Sequence, residues 1–233
     1  MNKIKEIRQT LRSKGMTTQP IKTRPDYLRS YGLQPDVLID VGVARGTAWL
    51  YRSFPAAKVV LIDPQQDCAA FVRERHADLE FDFFAAALGP AKGTASLNIP
   101  QKKTGPGIAM ASIHRRTDEL GAKFPHSEVR EVDVRPLDEI AADYPGRVGL
   151  KIDTEGFEYE VLQGASETLK RCDFVILELS LTPRFDGVAR PSDSMGLMAA
   201  AGLDLRDILS MASGVDETAK PRHVDALFTR WTN

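Results

Sequence analysis

From Pro35 onward the chain alternates short apolar runs with stretches of helical periodicity. Val37–Val41 and Val59–Ile62 are almost continuously apolar, the pattern of strands buried on both faces of a parallel sheet. Between them Thr47–Phe54 suits a short helix that Pro55 cannot continue. A helix over Gln65–His76 follows, then a strand Phe81–Leu88 closed by Gly89-Pro90, and an extra strand at Thr94–Ile99. Val129–Val134, Val148–Ile152 and Phe174–Leu179 read as further strands. A turn of helix at Leu137–Ala142 and a helix at Tyr159–Lys170 separate them, and a helix near Ser194–Ala201 ends at Gly202. The last pair of runs, Leu205–Met211 and Val224–Trp231, flanks a polar loop and predicts an antiparallel hairpin at one edge. Ahead of all this, Met1–Lys14 sets Ile4, Ile7 and Leu11 at helical spacing among basic residues. Gly15 ends that helix, and Thr17–Asp26 reads as a connector.

Strand–helix alternation of this kind predicts a doubly wound, mostly parallel α/β sheet with helices on both faces. Right-handed crossovers then fix most of the connections. The expected division is an amphipathic helix and connector over 1–34 and one α/β domain over 35–233. Residues 100–127 are too long for an ordinary connection and suggest a lid. At 42% hydrophobic and 27% charged residues the chain can bury a core. A net charge of −1 supplies no global attraction to nucleic acid. There is also no N/D-P-P-Y segment and no basic stripe with interleaved aromatics, so a nucleic-acid partner is not expected. Cys68 and Cys172 read as reduced thiols, and the 4 histidines lack metal-ligand spacing. No apolar run approaches the roughly 18 residues of a membrane span, and no secretory-type stretch opens the chain. The expected address is cytoplasmic. The basic N-terminal helix is expected to pack on the domain or lid its site, rather than to lie on a membrane.

Ligands of such sheets bind outside the carboxyl ends of the strands, where strand order reverses. The first strand ends Asp40-Val41-Gly42-Val43-Ala44-Arg45-Gly46-Thr47. Gly42 permits a tight turn and close backbone approach, and Gly46 falls where a helix begins. The spacing G-x-x-x-G lacks the close glycine pair that admits a pyrophosphate. Asp40 would oppose a pyrophosphate but suits a ligand carrying an ammonium and a sulfonium. That favours S-adenosylmethionine over NAD. The second strand ends in Asp63-Pro64, an acid about 20 residues beyond the glycine turn, placed to accept bonds from ribose hydroxyls.

The most distinctive segment runs Leu150-Lys151-Ile152-Asp153-Thr154-Glu155-Gly156-Phe157-Glu158-Tyr159-Glu160-Val161-Leu162-Gln163-Gly164-Ala165. Acids gathered at a buried strand end are costly unless a ligand, a metal or a helix N-terminus uses them. A helix start explains Glu155, Glu158 and Glu160 better than it explains Asp153. The segment resembles the signature of the FkbM family of methyltransferases, L-K-x-D-x-E-G-x-E-x-x-x-L-x-G-A. The D-x-G-x-x-x-G loop, Ala87-Leu88-Gly89, Pro136-Leu137-Asp138 and Asp225-Ala226-Leu227-Phe228 resemble the same family. The resemblance covers about Pro35 to Trp231. Departures stand at Ala44 and Arg45, at Asp63 where the family more often has Glu, and at Ala85 and Ala86 where a polar adenine contact is common.

The resemblance implies a Rossmann-like, seven-stranded sheet of the class I methyltransferase type. It also implies O-methylation of a hydroxyl on a sugar, glycan, polyketide or related metabolite. Cofactor contacts are expected from Asp40, Gly42, Ala44, Arg45, Gly46, Asp63, Pro64, Ala86 and Asp153. In-line methyl transfer needs alignment and removal of the acceptor's proton. The candidates for that work are Asp153, Glu155 and, from the insertion, His114. Asp153, Glu155 and Glu178 at adjacent strand ends are the ligands that Mg²⁺ would use, although a metal-free site is favoured. Lys102, Lys103, Arg115 and Arg116 make the insertion basic, and Arg184 and Arg190 mark a second rim. Two rivals stay open: a nicotinamide-dependent oxidoreductase, and a non-catalytic, cofactor-binding member of the family.

Overall fold

A computed structural model of the chain describes residues 2–16, 18–117, 124–213 and 220–231. Met1, Thr17, residues 118–123 of the expected lid and most of the polar loop before the last strand lie outside the described residues. The apolar runs become β1 (Val37–Val41), β2 (Lys58–Ile62) and β3 (Phe81–Phe84), followed by β4 (Ala87–Leu88), β5 (Gly93–Lys102) and β6 (Gly105–Pro106). Then come β7 (Ser127–Arg135), β8 (Val148–Ile152), β9 (Cys172–Ser180), β10 (Leu203–Ser213) and β11 (Pro221–Arg230). The main sheet has 7 strands in the order β10-β11-β9-β8-β1-β2-β3. From β3 to β9 every pairing is parallel. β11 runs antiparallel to β9, and β10 antiparallel to β11 at the edge, as the hairpin pattern predicts.

β1 and β8 are buried at every position, so both sheet faces must be covered. Helices α1 (Asn2–Ser13), α2 (Pro25–Arg29), α3 (Ala48–Ser53) and α4 (Cys68–Arg75) lie in the first half of the chain. The second half contributes α5 (Leu137–Ala141), α6 (Glu158–Gln163), α7 (Ser166–Lys170) and α8 (Pro191–Ala200). One apolar core joins Ile39, Val60 and Leu150 to Ile140 of α5, Leu162 of α6 and Met198 of α8. The other joins Leu38 and Leu61 to Leu28 of α2, Leu50 and Tyr51 of α3 and Val72 of α4. The chain leaves β1 toward β2 and β3, then returns to place β8 and β9 on the other flank. The switch point therefore falls between β1 and β8.

Three stretches differ from the sequence reading. The single strand expected over Phe81–Leu88 divides, so that β3 stays in the main sheet while β4 joins a second, 4-stranded sheet of order β4-β7-β5-β6. The helix expected over Tyr159–Lys170 breaks after Gln163, because Gly164 packs directly on Gly89. A Cβ there would stand 2.1 Å from the Gly89 carbonyl oxygen. Asp138 then caps α7, accepting the N–H groups of Glu167 at 3.0 Å and Thr168 at 2.7 Å. The expected connector contains α2, whose Leu28 is fully buried. It is tied to the sheet edge at Asp207, which accepts from Lys22 at 2.6 Å, Tyr27 at 2.6 Å and Tyr31 at 2.9 Å. Lys22 also donates to the Ile208 carbonyl at 2.9 Å. α1 exposes Ile4 and Ile7. Among the described residues no helix is long and apolar enough to cross a membrane.

Candidate active site

The loop after β1 is pressed against the end of β8. Gly42 has φ +77°, and a Cβ on it would lie 1.8 Å from the Asp153 carbonyl oxygen. Only glycine permits that approach. Two backbone bonds lock the contact: Gly42 N–H to Ile62 O at 2.9 Å and Asp153 N–H to Val41 O at 3.1 Å. Ala44 also adopts a left-handed φ, +47°, which turns its N–H onto Asp63 Oδ2 at 2.9 Å. Asp63 Oδ1 accepts the Gln65 N–H at 2.9 Å. Burial raises the Asp63 carboxyl pKa against the pull of those two bonds.

A cavity of about 440 Å³ opens at these strand ends. It gathers Gly42, Ala44, Arg45, Gly46, Asp63, Pro64, Ala86, Asp153 and Glu155 on its wall, all expected site residues. Ile108, Ala109, Ala111 and Ile113 of the insertion line it as well. Gln65 Nε2 donates to the Ile108 carbonyl at 3.0 Å, and Ser112 Oγ donates to the Glu155 carbonyl at 2.6 Å. The insertion is thus held at both ends of the cavity.

Asp40 lies outside the lining. It is fully buried and its Oδ2 accepts the Tyr51 hydroxyl at 2.7 Å. Its register neighbour on β8 is Lys151, whose Nζ stands 3.7 Å from Asp40 Oδ1 and 3.0 Å from Asp153 Oδ2. Burial pulls the Lys151 pKa down, but Asp153 and Asp40 outweigh it and the net shift is upward. The lysine therefore stays an ammonium.

The acidic segment sorts into different roles. Glu158 turns back, accepting the N–H of Thr154 at 2.8 Å and of Gly156 at 3.1 Å, so it organises the loop's own backbone. Glu160 meets His114 Nε2 at 3.4 Å, and that bond raises the His114 pKa. His114 is off the cavity wall, beside Phe157 with ring centroids 5.2 Å apart. Glu155 sits at φ +54°, a strained backbone for a non-glycine residue. Burial pushes its carboxyl up to about 7, with Arg184 opposing. Arg184 Nη1 lies 3.4 Å from Glu155 Oε2 and Nη2 donates to Glu178 Oε1. His223 Nε2 stands 3.5 Å from Glu178 Oε2. Burial, then Asp153, push Glu178 up to about 9.

Glu178 is likewise off the cavity wall. The cation between it and Glu155 is the Arg184 guanidinium, which separates two of the three carboxylates considered as Mg²⁺ ligands. Among the described residues no group of three or more His, Cys, Asp or Glu side chains is placed to hold a metal ion. Sequence reasoning passed over Lys151, although it stands inside the signature, and treated Arg184 only as rim. Asp225 also lines the cavity and accepts the Ser210 hydroxyl at 2.5 Å.

A family model described as the methyltransferase FkbM domain matches residues 40–217. Among solved structures the chain is similar to magnesium protoporphyrin IX methyltransferase from Synechocystis PCC 6803. Identity is 12%, coverage is 96% of this chain and 79% of that one, and the TM-score is 0.47. It is also similar to an N-methyltransferase from Bradyrhizobium japonicum WM9, at 12% identity, 88% and 91% coverage and TM-score 0.46. Fibrillarin from Aeropyrum pernix gives 9% identity, 84% and 67% coverage and TM-score 0.44. No curated protein matches the sequence.

Proposed function

The chain belongs to the FkbM family of methyltransferases, and we propose that it moves the methyl group of S-adenosylmethionine onto a hydroxyl of a sugar, glycan, polyketide or related metabolite. One observation carries the reading: the ends of β1, β2 and β8 bring Gly42, Ala44, Gly46, Asp63 and Asp153 to a single cavity. Those residues fit such a donor. The missing side chain at Gly42 leaves backbone accessible, and Asp63 retains lone pairs for hydroxyl donors beyond its two backbone bonds. Ala86, Ala87 and Leu88 on the wall offer an apolar slot for a flat ring. When bound, S-adenosylmethionine supplies an electrophilic methyl carbon on a positively charged sulfur.

Asp153 presents a carboxylate to the donor's positively charged amino-acid end. Glu155 takes the acceptor's hydroxyl proton on its carboxylate, since a base titrating near 7 combines availability with driving force. Arg184 holds that carboxylate in place and keeps its pKa from rising further. Ile108 and Ile113 exclude water from the cavity. The setting we propose is cytoplasmic, in keeping with the free thiols of Cys68 and Cys172.

The test is calorimetric titration with S-adenosylhomocysteine and with NAD, then transfer of radiolabelled methyl to a panel of hydroxylated acceptors. Binding of S-adenosylhomocysteine alone, with label on a hydroxyl lost in Glu155→Gln, is expected. NAD binding in its place would sink the reading. Label on nitrogen or carbon would overturn the choice of acceptor.

A further inference from the structure

A lysine buried to 8% exposure at a strand end needs a reason. Among the described residues Lys151 Nζ donates one hydrogen bond, to Asp153 Oδ2 at 3.0 Å. Asp40 Oδ1, at 3.7 Å, is beyond hydrogen-bond reach and accepts no bond from any described group. An ammonium has three donor hydrogens, so Lys151 keeps donating capacity. Lys151, Asp153 and Asp225 all reach the cavity wall. The wall at this point therefore sets an ammonium directly beside carboxylates. A neutral ligand can hydrogen-bond there but balances neither charge, and a singly charged one is repelled by half of the pairing. A zwitterion satisfies both halves.

We propose that Lys151 binds the α-carboxylate of the methyl donor's amino-acid end, while Asp153 takes its α-ammonium. The assignment rests on the S-adenosylmethionine reading above. It also gives Asp40 a role that its position off the wall would otherwise deny it. From behind the strand, Asp40 balances the lysine's charge and acts on the ligand through it, as a positioning residue.

The test compares S-adenosylhomocysteine with its decarboxylated analogue, which keeps the amine, by calorimetry on the full chain. The wild-type protein should prefer the carboxylate-bearing ligand by about 10- to 100-fold, the worth of one charge-assisted bond. Lys151→Met should bring that ratio close to one, chiefly by weakening the carboxylate-bearing ligand. Equal wild-type affinities would overturn the proposal, whatever the variant does. A variant that weakens both ligands alike and keeps the ratio would overturn it too, reducing the lysine to a structural counter-ion. Should Lys151→Met not fold, the Asp40→Asn, Lys151→Met double variant removes one stranded carboxylate and is read in the same way. A wild-type chain that binds neither ligand defeats the donor assignment itself, a result distinct from equal affinity.

Discussion

Replacing Gly42 by alanine tests the cradle with a single methyl group. The added Cβ would stand 1.8 Å from the Asp153 carbonyl oxygen and 2.8 Å from its carbon, both backbone atoms that cannot rotate away. Relief requires the β1 loop and the β8 end to part by more than 1 Å, since real Cβ contacts under 3.0 Å are essentially never seen. Parting them strains the Gly42–Ile62 and Asp153–Val41 hydrogen bonds, worth about 1 kcal/mol each. Holding alanine at φ +77° adds about 1–2 kcal/mol. The sum is a destabilisation of about 3–4 kcal/mol, to be read from denaturant unfolding, if the loop keeps its place. If the loop instead moves, that energy is spent from ligand binding, and S-adenosylhomocysteine affinity falls by roughly 100-fold or more. Gly32→Ala is the control. Its φ is +73° but nothing lies within 4 Å of the new Cβ, so only the backbone cost of about 1–2 kcal/mol is lost and affinity stays as it was. A Gly42→Ala protein with wild-type stability and wild-type affinity would refute the geometry of the cradle.

Other expectations concern the acids. The Glu155 carboxyl is pushed from 4.5 to about 7 in the folded chain, so the fold holds a proton that the unfolded chain has lost. Its contribution to stability is absent below about pH 4.5 and turns unfavourable as pH rises toward 7, by roughly 3 kcal/mol. Glu155→Gln should therefore unfold later than wild type at pH 8 and equally at pH 4; parallel pH profiles would count against that burial. Arg184→Met should cost about 3–5 kcal/mol by stranding Glu155 and Glu178. With the arginine gone both carboxyls hold protons to higher pH, so the deficit in chemical unfolding should be larger at pH 8 than at pH 6, and the reverse order would contradict the assignment. Tyr51→Phe takes the hydroxyl from Asp40 Oδ2 and should cost about 1–3 kcal/mol. A change under about 0.5 kcal/mol in the same assay would mean that the buried carboxylate has another partner.

How much of this was legible depended on what each residue type reveals alone. The apolar runs at Val37–Val41 and Val148–Ile152 mark central strands because only strands buried on both faces are so uniformly apolar. The glycine loop and Asp63 were readable because their spacing follows from strand and turn geometry. Asp40 was expected among the cofactor contacts, but it turns away from the cavity onto Tyr51 of α3, an orientation that its place in the sequence does not encode. Lys151 was hidden for a related reason: a lysine in sequence looks like surface, and only the register with Asp40 shows it enclosed by acids. The break at Gly164 followed from a contact with Gly89, 75 positions away, which no local periodicity encodes. Glu158 and Glu160 read like their neighbours, yet one folds back on its own loop and the other meets His114.

The Asp207 anchor has a bearing on how the molecule behaves in company. β10 is the outermost strand, 11 residues long, and exposes Leu205 and Met211. Such a border invites a neighbouring molecule to add a strand of its own. Lys22 answers by donating to the Ile208 carbonyl, and register shifts between Leu205 and Asp207 and between Ile208 and Ser210 roughen the rest. The segment ahead of β1 therefore serves as a guard against sticking. Losing the Lys22 ammonium alone, which leaves the buried Leu28 in place, would free the Ile208 carbonyl on that border for a neighbouring chain.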